Sequence, residues 1–258
     1  MVNISTTWSY SKISSFSTCP YQYYLSYIAD PKPENEENCF NQYGLHVHEI
    51  LEKFFKGELE LFELADYYEE HFDEHVLLDF PPCQVRGQPY DLGQHYYDDG
   101  LKFLSEFDGL PKYKILGVEE DFTVDFLDGD KLHGFIDLVL EDRNGDIIVL
   151  DHKSKGGFKS KAEQKKYSFQ PALYSLYIKY GKWPSRLAFN IFRKQEYVKI
   201  EFTEDLLNEA IDWAKKNVQT IRDCTDFLPK LNKKEKQKNM FFCDHICGFK
   251  SSCGHKYD

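Results

Sequence analysis

With 258 residues, 41% of them hydrophobic and 16% aromatic, the chain has enough apolar mass to bury a core and fits one large domain or two closely packed lobes. No stretch approaches the ~20 uncharged apolar residues that span a bilayer. The opening MVNISTTWSYSK also lacks the apolar block of a signal peptide, so a soluble, cytoplasmic protein with no membrane partner is expected. The net charge of -11 argues against a polyanionic partner only until its distribution is read: residues 1–150 hold 10 Lys and Arg against 30 Asp and Glu, whereas residues 151–258 hold 22 against 13. A local positive field of that size attracts a phosphate backbone, although the same run alone is equally a solvated lysine-rich surface.

Helical spacing dominates the first third. Ser9 caps a segment through Ile13, Phe16, Tyr23, Tyr24 and Tyr27, broken at Pro20, and a polar loop follows over 30–41. Residues 44–55 (GLHVHEILEKFF) place Val47, Ile50, Leu51, Phe54 and Phe55 on one side of a helix, with His48 near its start. Two more helices, near 61–79 and 92–107, are acidic outside and aromatic inside, with Pro81, Pro82 and Gly87 between them. The period then switches to two. Residues 115–126, 131–141 and 146–153 are rich in β-branched residues and are joined by DGD and DRNGD, which carry hairpin chemistry, so three antiparallel strands are expected. A Lys- and Gly-rich loop (SKGGFKSKAEQKK), a helix near 167–180, strands near 186–193 and 196–202 and a helix over 204–222 complete the order. A lysine-rich linker over 230–239 leads into a Cys/His tail.

The chemistry concentrates at strand ends. Asp151 and Lys153 are two apart, so both side chains leave one face of their strand while His152 points the other way. The apolar run IIVL leads into this pair, and a carboxylate and an amine at the end of a buried strand are costly unless used or paired. Asp137 stands inside another apolar strand, and counting outward from the RNGD turn brings it beside Asp151. Two converging carboxylates repel unless a cation sits between them, and hard oxygen ligands suit Mg²⁺ or Mn²⁺. The plainer alternative is a structural Asp–Lys pair with Asp137 capping a turn. In the tail, three residues separate Cys243 from Cys247 and five separate Cys247 from Cys253, and three thiols this close in a chain without a secretory signal point to a metal whose fourth ligand comes from elsewhere. Cys39, Cys83 and Cys224 lack such spacing and read as ordinary thiols.

A hairpin carboxylate at Asp137, then Asp151-His152-Lys153, then a helix carrying Gln170 and Tyr174 resembles the RecB-like branch of the PD-(D/E)XK nucleases. The helix with Gly44 and His48, the opening SYSKISSFSTCPYQYYLSYI with Cys19, and the Cys tail are similar to further elements of that branch, in the same order. The resemblance spans residues 9–28, 44–52, 115–193 and 243–253. It implies an α/β fold with a PD-(D/E)XK restriction-endonuclease-like core, a central mixed sheet flanked by helices, plus a helical N-terminal lobe and a C-terminal Cys cluster. The expected division is a helical lobe over 1–110, a nuclease core over 111–229 and a linker with tail over 230–258 packing back on the N-terminus.

The resemblance also implies residue roles. His48, Asp137 and Asp151, with the His152 backbone carbonyl, would hold Mg²⁺ or Mn²⁺; Asp137, Asp151 and Lys153 would be catalytic, with Lys153 near the attacking water. Glu119 or Glu120 could add an acidic group, and strand alternation does not say which; His46 reads as a bystander. Gln170 and Tyr174 would contact the DNA backbone or brace the site. Apart from the resemblance, Lys155, Lys159, Lys161, Lys165 and Arg193 flank the Asp-Xaa-Lys strand and concentrate the positive charge, so they are expected to line the DNA path. Cys19, Cys243, Cys247 and Cys253 would bind a 4Fe-4S cluster, with zinc, aided by His245 or His255, as the lesser possibility. The implied activity is a metal-dependent DNA exonuclease. A structure-specific or CRISPR-adaptation endonuclease and a non-catalytic DNA-end-binding subunit are the alternatives. No Gly-Xaa4-Gly-Lys-Ser/Thr phosphate loop is present, so unwinding falls to a helicase or single-strand-binding partner, or the substrate is already single-stranded.

Overall fold

The structure is a computed structural model that describes residues 6–85, 87–127, 129–229 and 240–255. Its elements in chain order are β1 (Thr7–Trp8), α1 (Tyr10–Thr18), α2 (Pro20–Tyr27), α3 (Cys39–Phe55), α4 (Leu64–His75), β2 (Cys83–Val85), β3 (Gln88–Tyr90), α5 (Leu92–Glu106), β4 (Lys114–Asp125), β5 (Lys131–Glu141), β6 (Ile147–Lys153), α6 (Lys161–Tyr174), β7 (Arg186–Ile191), β8 (Glu196–Glu201) and α7 (Glu204–Asp223). The architecture is mixed α/β, as expected. Along the sheet β5 and β6 are antiparallel, β6 and β7 parallel, and β7 and β8 antiparallel, while β4 pairs with β5. A short hairpin, β2 with β3, stands apart from it. The linker expected over 230–239 lies outside the described residues.

The chain divides into two units, one drawn from 1–38, 123–134 and 208–258 and the other from 39–122 and 135–207. In the second unit one face of β5 and β6 (Leu138, Leu140, Ile148, Leu150) joins Ala188 of β7 in a core with Val47, Ile50 and Leu51 of α3, Leu64 and Tyr68 of α4, and Phe103 and Leu104 of α5. Strand alternation then fixes the rest. Leu138 is opposite Leu150, so Asp137 and Asp151 share the other face with Lys153. On α6 the residues Ala172, Leu173 and Tyr174 are buried.

In the first unit, β1 pairs in parallel with the first two residues of β5. Trp8, 1% exposed, donates its indole N–H to the buried Asp130 carboxylate at 2.9 Å, and Arg222 reaches the same carboxylate at 2.7 and 2.8 Å. Residues 210, 214, 218 and 221 of α7 form a buried stripe of Ala, Ala, Val and Ile at helical spacing. The tail is docked by backbone as much as by side chains. Glu36 N–H donates to the Gly248 carbonyl at 2.7 Å, Asn38 donates to the Ile246 carbonyl at 3.1 Å, and Phe249 packs with Leu25 and Ala29. Gly248 is needed for this approach, because a Cβ there would lie 1.9 Å from Asn35 Oδ1 and 3.0 Å from the Glu36 carbonyl.

Two helices differ from their expected positions, and α3 begins at Cys39, five residues early and inside the stretch expected as loop. The helix placed near 167–180 runs over Lys161–Tyr174, starting where Ser160 accepts from Glu163 N–H and takes the N-cap. Its first turns are mostly Lys, Glu and Gln, which carry no apolar period to read, and it stops one turn after Pro171.

Candidate active site

Four elements of the second unit bring their residues to one point. On α3, Gly44 leaves room for Ser154, whose Oγ would sit 3.2 Å from a Cβ there, and His48 follows one turn later. His48 Nδ1 lies 3.8 Å from Asp137 Oδ2 of β5, and that oxygen also accepts from His152 N–H of β6 at 2.7 Å. On β6 the Lys153 ammonium stands 2.6 Å from Asp151 Oδ2 as a close ion pair and donates to Gln170 Oε1 at 3.0 Å. Gln170 in turn donates to the Tyr174 hydroxyl at 3.0 Å. His152 turns away, its ring bonded to the buried Asn190 at 2.9 Å and edge-on to His48. An open cleft lined by Asn41, Gly44, His48, Glu52, Glu119 and Ser154 gives access.

The acidic residue of β4 is Glu119. His48, Glu119 and Asp137 each offer a donor atom within 4.8 Å of the other two. Glu120 is drawn off by Lys179 and Tyr180. Alternation could not distinguish the two because the backbone at Glu119 is left-handed, with φ at 47°, and this kink breaks the period of two.

The electrostatics are those of a cation site. Burial pushes the Glu119 carboxyl up to about 7, and repulsion from Asp137 and Glu52 adds to the shift. Burial likewise raises Asp137 and lifts Asp151 to about 6, against the pull of Lys153. Burial opposes charge on Lys153, but Asp151 and Asp137 outweigh it and favour the ammonium. Burial holds His48 and His152 below their ordinary values, so both imidazoles are neutral and His48 keeps a lone pair. A neutral imidazole and two buried, mutually repelling carboxylates are donors that a divalent cation satisfies together.

The sequence profile of the PD-(D/E)XK nuclease superfamily matches residues 7–254. The chain belongs to that superfamily. A candidate exonuclease from Eubacterium rectale, seen by crystallography, is similar at 15% identity and TM-score 0.48 over 83% of this chain and 79% of that one. The crystal structure of SSO0001 is similar at 14% identity and TM-score 0.37 over 96% of each chain. Comparison with curated proteins gives no match. PD-(D/E)XK nucleases use divalent metals, and the donor set around Asp137 fits one.

The basic residues are placed unevenly. Lys159, Lys161 and Lys165 are exposed around the start of α6. Lys155 donates to Glu163 at 2.8 Å and lies over the rings of Tyr167 and Phe158 at 3.9 and 4.6 Å. Arg193 is committed inward: it donates to Asp99 at 2.8 and 3.0 Å, stacks 3.5 Å from the Tyr96 ring, and its side chain is 13% exposed. It braces α5 rather than offering a free guanidinium to a phosphate. Within the first unit, Cys19, at the junction of α1 and α2, lines one pocket with Cys243, Cys247 and Cys253. Burial raises the Cys19 thiol, with Cys253 adding to the shift, and pushes Cys247 up to about 11, with Cys19, Cys243 and Cys253 adding to it.

Glu119 gives a test that does not depend on turnover. Its carboxyl is protonated below about pH 4.5 whether the chain is folded or not, so it costs no stability there. As pH rises from 4.5 towards 7 the unfolded chain ionises first, and the cost is complete above 7. In chelator, Glu119→Gln is therefore expected to melt higher than wild type at pH 8 and with it at pH 4, and to lose part of the stabilisation that Mg²⁺ gives wild type. Equal melting at both pH values would show that Glu119 is not crowded by its neighbours.

Proposed function

We propose that the chain is a metal-dependent DNA exonuclease, hydrolysing phosphodiester bonds of single-stranded DNA or DNA ends in recombination, repair or phage DNA metabolism. The observation that carries this is the convergence of His48, Glu119, Asp137, Asp151 and Lys153 where the end of β6 lies beside the middle of β5, next to an open cleft. Mg²⁺ or Mn²⁺ held by His48, Glu119, Asp137 and Asp151, with the His152 carbonyl, supplies Lewis-acid stabilisation of charge on the phosphate. The ammonium of Lys153 has three donors. Gln170 accepts from one of them and the Asp151 carboxylate holds the ammonium as an ion pair, which leaves donor capacity for an attacking water or a phosphate oxygen. Tyr174 holds Gln170, so the amine is aimed from two sides. The cationic form is favoured, so Lys153 orients and neutralises rather than acting as the base.

DNA would run along the exposed lysines at the start of α6. Reversing Lys159, Lys161 and Lys165 to Glu should weaken DNA binding and lower the slope of log affinity against log salt by about 2 to 3. An unchanged slope means that the run is only a solvated surface. For the thiol pocket the reading is a 4Fe-4S cluster held by Cys19, Cys243, Cys247 and Cys253. Its support is four thiols lining one pocket, two of which are hard to ionise until a metal takes them.

The deciding experiment uses linear DNA labelled at the 5′ or 3′ end beside covalently closed circles. Exonuclease action removes nucleotides from the ends of linear DNA and leaves circles intact. Nicked or linearised circles identify a structure-specific or CRISPR-adaptation endonuclease, and binding to ends without cleavage identifies a non-catalytic subunit.

A further inference from the structure

A second group of donors lies on the same helix as His48 but belongs to different chemistry. His46 and Glu49 are three apart on α3 and so share a helix face. His75, the last residue of α4, closes on them: its Nδ1 is 3.5 Å from Glu49 Oε2, and its ring stacks 4.6 Å from that of His46. Each of the three residues offers a donor atom within 4.8 Å of the other two. The end of α4 is pinned in place, because Gln42 Oε1 on α3 accepts from both Leu77 N–H and Leu78 N–H at 3.0 Å.

His46 is the informative member. It is 0% exposed, and its Nε2 lies 3.3 Å from the Tyr68 carbonyl oxygen. A carbonyl only accepts, so Nε2 carries the proton and Nδ1 is left with a bare lone pair. That Nδ1 is buried and has no hydrogen-bond partner among the described residues. A buried acceptor left without a donor is costly, and a phenylalanine would fill the same space without that cost. An imidazole whose N–H is held by a backbone carbonyl and whose other nitrogen is unspent has the outer support of a metal ligand.

We propose that His46, Glu49 and His75 form a second metal site, separate from the catalytic cluster, that takes a borderline cation of the Zn²⁺ type. Two imidazoles and one carboxylate are a zinc donor set, whereas the oxygen-rich catalytic cluster suits Mg²⁺ or Mn²⁺. The side chains of Glu49 and His75 are 37% and 35% exposed, so the outer side of the site is open to water as a fourth ligand. Glu49 Oε1 faces Lys53 at 3.5 Å and leaves Oε2 on the His75 side. The bound ion would clamp the end of α4 to the middle of α3.

The test titrates Zn²⁺ and, as a coloured probe, Co²⁺ into the full-length protein in saturating Mg²⁺. Wild type and Asp137→Ala should each bind one equivalent, with a rise in Tm of about 5 °C at a hundredfold excess over Kd, and the Co²⁺ spectrum should lack thiolate charge-transfer bands. His75→Ala and Glu49→Gln, changes at half-exposed positions, should raise the Kd at least tenfold and abolish the Tm shift, and His75→Ala, which stands outside the catalytic cleft, should keep the nuclease rate in Mg²⁺. The proposal is overturned if His75→Ala binds Zn²⁺ like wild type, if Asp137→Ala removes the shift, or if the Co²⁺ bands come from thiolates.

Discussion

Asp151→Ala and Lys153→Ala should each lower DNA cleavage by at least about a thousandfold while changing DNA affinity little. The two side chains share one face of β6 and meet at 2.6 Å, and the amine is further held by Gln170. On the proposed assignment, removing Asp151 would take a cation ligand and let the amine swing. Removing Lys153 would take the group proposed to face the attacking water and leave Asp137 and Asp151 repelling each other without it. Affinity for a nucleic acid comes mostly from phosphate contacts, which the proposed path places elsewhere, so filter binding or anisotropy in Ca²⁺ should hardly move. Melting curves for both variants separate loss of chemistry from loss of fold. Wild-type rates in either folded variant would remove the catalytic assignment.

The second large effect concerns the thiol pocket. Cys19→Ala should lose iron and thermal stability together, because tying residue 19 to 243 and beyond closes a loop of more than two hundred residues that the unfolded chain would otherwise sample. Protein purified without oxygen should be brown with about four irons per chain. The tail has its own contacts through Glu36, Asn38 and Phe249, so the variant should stay folded at low temperature and melt early. Colourless protein with one zinc per chain would replace the cluster while keeping the staple, and full stability in metal-free Cys19→Ala would remove both.

How much of this was legible depended on how local the signal was. The Asp137–Asp151 face could be counted from the turn because an antiparallel hairpin with a short connection fixes register, and Leu138 does stand opposite Leu150. The order of helices and strands followed from apolar period, and the long amphipathic helices α5 and α7 fell close to their expected bounds, whereas α3 ends at Phe55 as expected but starts at Cys39. The two-residue β1 and the hairpin of β2 with β3 were not expected, since strands of two or three residues carry no period. The start of α6 was visible only as its Ser-Xaa2-Glu cap, inside a stretch read as loop. Glu119 was hidden by a left-handed kink, and the inward commitment of Arg193 by a partner, Asp99, that stands 94 residues away. His46 read as a bystander because what singles it out, a carbonyl on α4 holding one nitrogen and burial of the other, is wholly tertiary.

DNA hydrolysis is expected to depend on a divalent cation at Asp137. End-labelled DNA incubated with wild-type protein should yield no product in chelator, and hydrolysis should return when Mg²⁺ or Mn²⁺ is added in excess. Asp137→Ala, shown to be folded by its melting curve, should give none in either metal. Hydrolysis that persists in chelator, or that survives Asp137→Ala, or no hydrolysis of any DNA by wild type in either metal, would contradict it.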